Sequence, residues 1–221
     1  MMTEFTEEKV YAGISLYTKF FLSIYDWLAL GYFCRFIWKC PSYHMLDIYN
    51  QHITGNHLDI GVGTGYFLDK CRFPSLEPRL AIMDLNPNSL NMAGKRLIRY
   101  NPEVYRRNVL EKFNTGAPSF ASIGIMNLLH CLPGNMKQKG IIFKNMKEVL
   151  IPGGTIFGSV ILHKGVKTNL VADLALKWNN RKGIMTNLDD DIRDVKETLS
   201  QYFSESMVWM TGYVVFFWAR I

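Results

Sequence analysis

The chain has 221 residues, of which 48% are hydrophobic, 14% aromatic and 20% charged, and it carries a formal net charge of +6. This composition excludes intrinsic disorder, collagen-like repeats and low-complexity arrays, and the length suits one domain over residues 1–221.

In chain order, the first 54 residues read as an all-helical cap. Leu16, Phe20, Ser23, Trp27 and Leu30 recur at helical spacing, and Ser42 stands where it can cap a helix running to about Ile53. No membrane span is expected in this stretch. Asp26 and Arg35 interrupt it, and the uncharged run between them falls far short of the roughly 18 apolar residues a span needs.

From residue 57 the pattern alternates strand and helix. Strands are expected at 57–61, 79–84, 104–109, 120–128 and 155–162. Helices are expected at 66–71, at 87–99 with Pro87 in the first turn, and at 135–150 before Pro152-Gly153-Gly154. Repeated units of this length imply a parallel sheet with helices on both faces. Residues 206–210 and 213–220 are two more strands, separated only by Thr211-Gly212, too short for a parallel crossover and therefore an antiparallel hairpin. The fold class is α/β: a Rossmann-like, doubly wound, seven-stranded sheet, mostly parallel, with a C-terminal antiparallel hairpin. The N-terminal helical cap (1–54) precedes the core (55–221).

Chemistry concentrates after the first strand. Asp59-Ile60-Gly61-Val62-Gly63-Thr64-Gly65 runs from a strand into a glycine turn that opens a helix, and glycine there permits positive φ and close approach of a ligand to backbone. The spacing lacks the third glycine of the dinucleotide fingerprint, and Asp59 would repel a polyphosphate while attracting an ammonium group. Asp84, nineteen residues beyond Gly65 at the end of the next strand, stands where α/β folds place an acid against ribose hydroxyls. The same residue could equally cap the helix that Pro87 opens.

These residues resemble the first motif and ribose-binding acid of the class I S-adenosylmethionine-dependent methyltransferases. Asn127-Leu128-Leu129-His130 resembles that family's fourth-strand motif, and Leu150-Ile151-Pro152-Gly153-Gly154 its loop before strand five. The resemblance implies S-adenosylmethionine as cofactor, held by Asp59, Gly61, Val62, Gly63, Thr64, Gly65, Asp84 and Asn127. Leu85, Asn108 and Val109 would lie at the adenine, with Asn108 standing where the family usually has an acid. The cap resembles the substrate-covering helices of the small-molecule branch, with Tyr17 and the Tyr25-Asp26 pair over the methionine end. His130, just past strand four, is the best-placed base for removing an acceptor proton.

The expected activity is methyl transfer to an O, N or C atom of a small, aromatic or apolar acceptor. The alternatives are an RNA methyltransferase and a methyltransferase-fold protein that does not methylate, either pericyclase-like or cofactor-sensing. Basic residues crowd between Lys95 and Lys112, but an acidic counter-cluster at 189–197 and the lack of interleaved aromatics argue against nucleic acid as a partner. Cys34, Cys40, Cys71 and Cys131 lie far apart without metal or disulfide spacing, so no metal is expected. With an acidic start, Met-Met-Thr-Glu, they point to a cytoplasmic location. The sequence sets no oligomeric state.

Overall fold

The computed structural model describes residues 17–113, 119–166 and 169–221. Seven strands form one sheet in the order β3-β2-β1-β4-β5-β7-β6. They are β1 (Asn56–Ile60), β2 (Arg79–Asp84), β3 (Glu103–Arg106), β4 (Phe120–Met126), β5 (Leu150–Ile161), β6 (Glu205–Thr211) and β7 (Val214–Arg220). Strands β1 to β5 pair in parallel, and β7 pairs antiparallel with both β5 and β6, as expected. The order reverses between β1 and β4, so the chain leaves those two strands in opposite directions and opens a crevice beyond their carboxyl ends.

Alternation along the strands splits the core in two. Leu80 and Ile82 face the cluster under the cap, whereas Ala81 and Met83 face the opposite cluster with Leu58, Ile60, Ile123 and Ile125. Each fully buried Leu or Ile stabilises the fold by about 1.5–3 kcal/mol relative to exposure. The second cluster is closed by α5 (Met136–Lys139), α6 (Ile141–Val149) and α8 (Ile192–Tyr202); α7 is Leu170–Arg181.

Several boundaries differ from expectation. The single helix expected at 135–150 is divided at Gly140, where a Cβ would lie 2.7 Å from Thr198 Cγ2, so α8 packs too close for anything larger. Strand β3 stops at Arg106, leaving Asn108 and Val109 in the turn beyond it. Strand β5 begins at Leu150 rather than 155, because Leu150 already pairs with Phe120 and the Pro152-Gly153-Gly154 run bulges out before Thr155 meets Ser122. The helix expected at 87–99 is α4 (Pro87–Arg96) followed by a 3₁₀ turn at Ile98–Tyr100.

The cap consists of α1 (Lys19–Tyr25), a π-helical stretch (Asp26–Ile37) and α2 (Tyr43–His52). The residues that face inward are not all those the spacing selects. Leu22, Leu30 and Cys34 are buried, while Phe20 and Trp27 turn outward at 75% exposure; Leu16 lies outside the described residues. Ser42 precedes α2 without capping it through its side chain. Because α1 and the π-stretch run on without a break, residues Lys19–Ile37 are long and apolar enough to cross a membrane by length and composition alone, contrary to the sequence expectation. In this fold the stretch packs on the sheet domain through Asp26, as described below.

The hairpin tip meets the end of the cap. Gly212 takes φ +58°, as a primed two-residue turn requires at its first central position, and Tyr213 N–H donates to the Trp38 carbonyl at 2.9 Å. The turn is thus Gly212-Tyr213, one residue later than expected. A Cβ at Gly212 would clash with the Trp38 and Lys39 carbonyls. Gly212→Ala is therefore expected to lower stability by about 1–3 kcal/mol. A denaturation midpoint indistinguishable from wild type would show that the tip does not bear on the cap.

Candidate functional site

The crevice at the sheet's switch point is built by the loops after β1, β2 and β4. Strand β1 delivers Asp59, buried at 3% exposure. Tyr49 of α2 donates its hydroxyl hydrogen to Asp59 Oδ2 at 2.5 Å. His57 stands 3.5 Å from the same oxygen through Nε2 and bonds Ser122 Oγ through Nδ1 at 2.8 Å. Gly124 makes room for this group, since a Cβ there would lie 2.8 Å from Asp59 Oδ2. The position of Asp59 is thus fixed from three sides, and the residue still lines the crevice beside the glycine loop.

The three glycines have different duties. Gly61 (φ +73°) passes so close to Leu128 that a Cβ would come within 2.8 Å of its methyl. Gly65 (φ +73°) opens α3 (Tyr66–Lys70) against α4, where a Cβ would meet Ala93 at 3.2 Å. At Gly63 (φ +55°) a Cβ would find no atom nearer than 4.0 Å, because that direction is the open crevice. Val62 and Thr64 are buried between them.

Asp84 closes the crevice opposite. Its Oδ2 accepts from Gly63 N–H at 3.3 Å and its Oδ1 from Asn86 N–H at 2.8 Å, so carboxylate and glycine loop are tied together. Burial pushes its pKa up to about 6, against the lowering effect of those backbone donors. Asn86, not Asp84, caps α4, accepting from Asn88 N–H at 2.9 Å. Leu85, Asn108 and Val109 line the same cleft. The Asn108 amide is engaged locally, accepting from Leu110 N–H and donating to Glu111.

The cap roofs this crevice through contacts that sequence reasoning missed. Thr64 Oγ1 donates to Asp26 Oδ1 at 2.6 Å, and Arg96 binds both, donating to Thr64 Oγ1 at 3.1 Å and Asp26 Oδ2 at 2.7 Å. Asp26 fastens the π-stretch to the glycine loop, and Arg96 is a bracket rather than part of an open basic face. Other members of the basic group are similarly engaged, Arg99 with Asp69 and Lys112 with Glu148. The carbonyl of Tyr17 accepts from the side-chain amides of Asn86 and Asn88, which holds its ring beside Tyr25 at 5.7 Å between centroids.

Asn127, at the end of β4, adopts φ +55°, a conformation that asparagine tolerates better than most residues. Ser159 Oγ donates to its Oδ1 at 2.7 Å. His130 lies on the 3₁₀ turn Leu129–Cys131 that follows. Its Nδ1 accepts from Ile161 N–H at 3.2 Å, so the neutral ring carries its hydrogen on Nε2, and burial lowers its pKa to about 3. The residues after α7 hold this turn from behind: Thr186 N–H donates to the His130 carbonyl at 2.8 Å, and Lys139 Nζ donates to Thr186 O. Helix α7 ends at Arg181, and beside that end Asn180 and Asn187 exchange hydrogen bonds.

A second cavity of about 350 Å³, within the size range of small-molecule sites, opens beneath the cap. Its walls are largely apolar, including Phe21, Phe33, Trp38, Ile161 and Trp178. Tyr17, Tyr25, Asn127 and Cys131 line both this cavity and the crevice. A methyltransferase-domain family model matches residues 58–158. The chain is 36% identical to the demethylluteothin O-methyltransferase of Streptomyces thioluteus over 208 residues, covering 94% of this chain and 90% of that one.

The chain belongs to the class I S-adenosylmethionine-dependent methyltransferases. It is also 36% identical to the physcion biosynthesis cluster O-methyltransferase of Aspergillus chevalieri, covering 93% of both chains. In fold it resembles the solved DhpI–S-adenosylhomocysteine complex (TM-score 0.70, 15% identity, 97% and 98% coverage). A second fold neighbour is the N-methyltransferase NodS of Bradyrhizobium japonicum bound to the same product (TM-score 0.55, 19% identity, 80% and 84% coverage). The cofactor of this methyltransferase is S-adenosylmethionine, and the crevice suits it. Gly63 leaves its backbone open to a ligand, and a buried carboxylate stands opposite.

Proposed function

We propose that this methyltransferase methylates an oxygen of a small, largely apolar acceptor seated in the cavity beneath the cap. The observation that carries this reading is the shared wall: Tyr17, Tyr25, Asn127 and Cys131 border both compartments, so a group held at that wall faces cofactor on one side and acceptor on the other. The O-methyltransferase names of the two relatives support oxygen over nitrogen or carbon.

In this reading Asp84 accepts from the ribose hydroxyls, and the Gly61–Gly65 loop cradles the methionine portion. Asp59 draws the ammonium group by charge. Leu85, Asn108 and Val109 flank the adenine. The bound cofactor supplies an electrophilic methyl on a sulfonium, already activated, so the protein's work is proximity and alignment. Tyr17 and Tyr25 position both partners and exclude water. His130 belongs to the acceptor wall as a hydrogen-bond donor: its Nδ1 lone pair is spent on Ile161 N–H, which leaves it no basic site for the role expected from sequence. The four free, buried cysteines suit a reducing, cytoplasmic setting, and we take the cap and core to act as a single domain.

The test is incubation with labelled S-adenosylmethionine and a panel of hydroxylated aromatics, aryl amines and structured RNA, with products identified by mass spectrometry. Label appearing on oxygen of a small aromatic is expected. Transfer confined to RNA or to amines would overturn the reading.

A further inference from the structure

The acceptor cavity holds hydrogen-bond donors but no proton acceptor strong enough to act as a base, and this constrains what can react there. Among the described residues, no carboxylate, lysine or arginine lines it. Its polar groups are the hydroxyls of Tyr17 and Tyr25, the thiols of Cys34 and Cys131, the amides of Asn127 and Asn179, and the His130 imidazole. Each is unsuited to taking a proton. His130 has its Nδ1 lone pair bonded to Ile161 N–H and its own hydrogen on Nε2. The rings of Tyr17 and Tyr25 lie side by side, 5.7 Å between centroids, and burial keeps both phenols protonated. Burial likewise pushes the Cys131 thiol up to about 11 and the Cys34 thiol up to about 12. Asn127 Oδ1 already accepts from Ser159.

Resting on the proposed O-methyltransferase reading, we infer that the acceptor is an acidic hydroxyl compound, a phenol or enol that gives its proton to solvent and binds as the oxyanion. Donors grouped in an apolar cavity stabilise an oxyanion, and such charge-assisted bonds are about twice as strong as neutral ones. A simple alcohol would keep its proton there, because nothing in the wall removes it. An ammonium group would find no carboxylate in the wall to balance its charge. In the transfer the acceptor oxygen's lone pair forms the new O–C bond while the sulfur–carbon bond breaks. The bonding pair leaves with sulfur as a neutral thioether, and no proton changes hands in the cavity.

The experiment uses the full chain saturated with S-adenosylhomocysteine, so that binding is read without turnover. Nitrophenols and hydroxycoumarins whose own acidities straddle neutrality are titrated across pH and followed by their phenolate absorbance. Bound probe is expected to show the phenolate band below its free pKa. Apparent affinity should fall by about tenfold per pH unit below that pKa, with a midpoint that moves from probe to probe. His130→Gln should change affinity without moving the midpoint. A neutral phenol band in the complex, or one midpoint shared by all probes, would overturn the inference by assigning the proton to the protein. If S-adenosylhomocysteine binds while neither the phenols nor their methyl ethers enter, the cavity is not the acceptor site and the parent reading fails instead.

Discussion

Replacing Asp84 with alanine is expected to weaken S-adenosylmethionine binding by about a hundredfold or more, because a hydrogen bond to a charged acceptor contributes about 1.5–3 kcal/mol and two ribose hydroxyls would lose theirs. Calorimetry on the purified variant measures the loss, with far-ultraviolet circular dichroism as the check on folding. Asp84→Asn is the informative companion, since it keeps one acceptor oxygen and should fall between wild type and alanine. The same side chain makes binding depend on pH. Its pKa is pushed up to about 6 by burial, and ribose needs the ionised form. Affinity should therefore hold above that pH and decline as pH falls through it, with a proton released on binding in the acid range. An alanine variant that binds normally would remove Asp84 from the cofactor site.

Gly63→Val is expected to abolish cofactor binding at little cost to the fold. The φ of +55° makes any side chain there strained by about 1–2 kcal/mol, which for a chain of this size is a loss of a few degrees in melting temperature. The Cβ itself would meet only the Gly61 carbonyl, at 4.0 Å, and the side chain would point into the space the ligand needs. Gly153→Val is the control. It has a similar strain at φ +76°, no neighbour within 4 Å and no place in the crevice, so it should melt early while still binding. If Gly63→Val binds as well as Gly153→Val does, the methionine portion does not lie on this loop.

The features of this site written in adjacent residues were legible from sequence. The glycine loop, the acid at the end of β2 and the terminal hairpin each announce themselves within a few positions. Contacts made between distant segments were not legible. Asp26 reads locally as an interruption in an apolar helix and Arg96 as one of a basic group. Only the fold brings them together across seventy positions of chain, with Thr64 between them. Nor does side-chain spacing report the π-winding of Asp26–Ile37, where Trp27 turns outward although its spacing from Leu30 suits a shared inward face. His130 shows a subtler limit. Its position beyond β4 was readable, but its chemistry depends on Ile161 N–H, a donor supplied by the neighbouring strand.

The bond from Tyr213 to the Trp38 carbonyl bears on the order in which the molecule comes together. Trp38 walls the cavity beneath the cap, yet its backbone partner sits on a hairpin translated long after it. The cap can form as helices early, but the Trp38 carbonyl gains this partner only once β6 and β7 have paired alongside β5. Contacts so distant in sequence are slow to form because the loop between them must first be closed. The strands that frame the crevice, β1, β2 and β4, are therefore translated before the hairpin that fastens the Trp38 wall of the cavity beneath the cap.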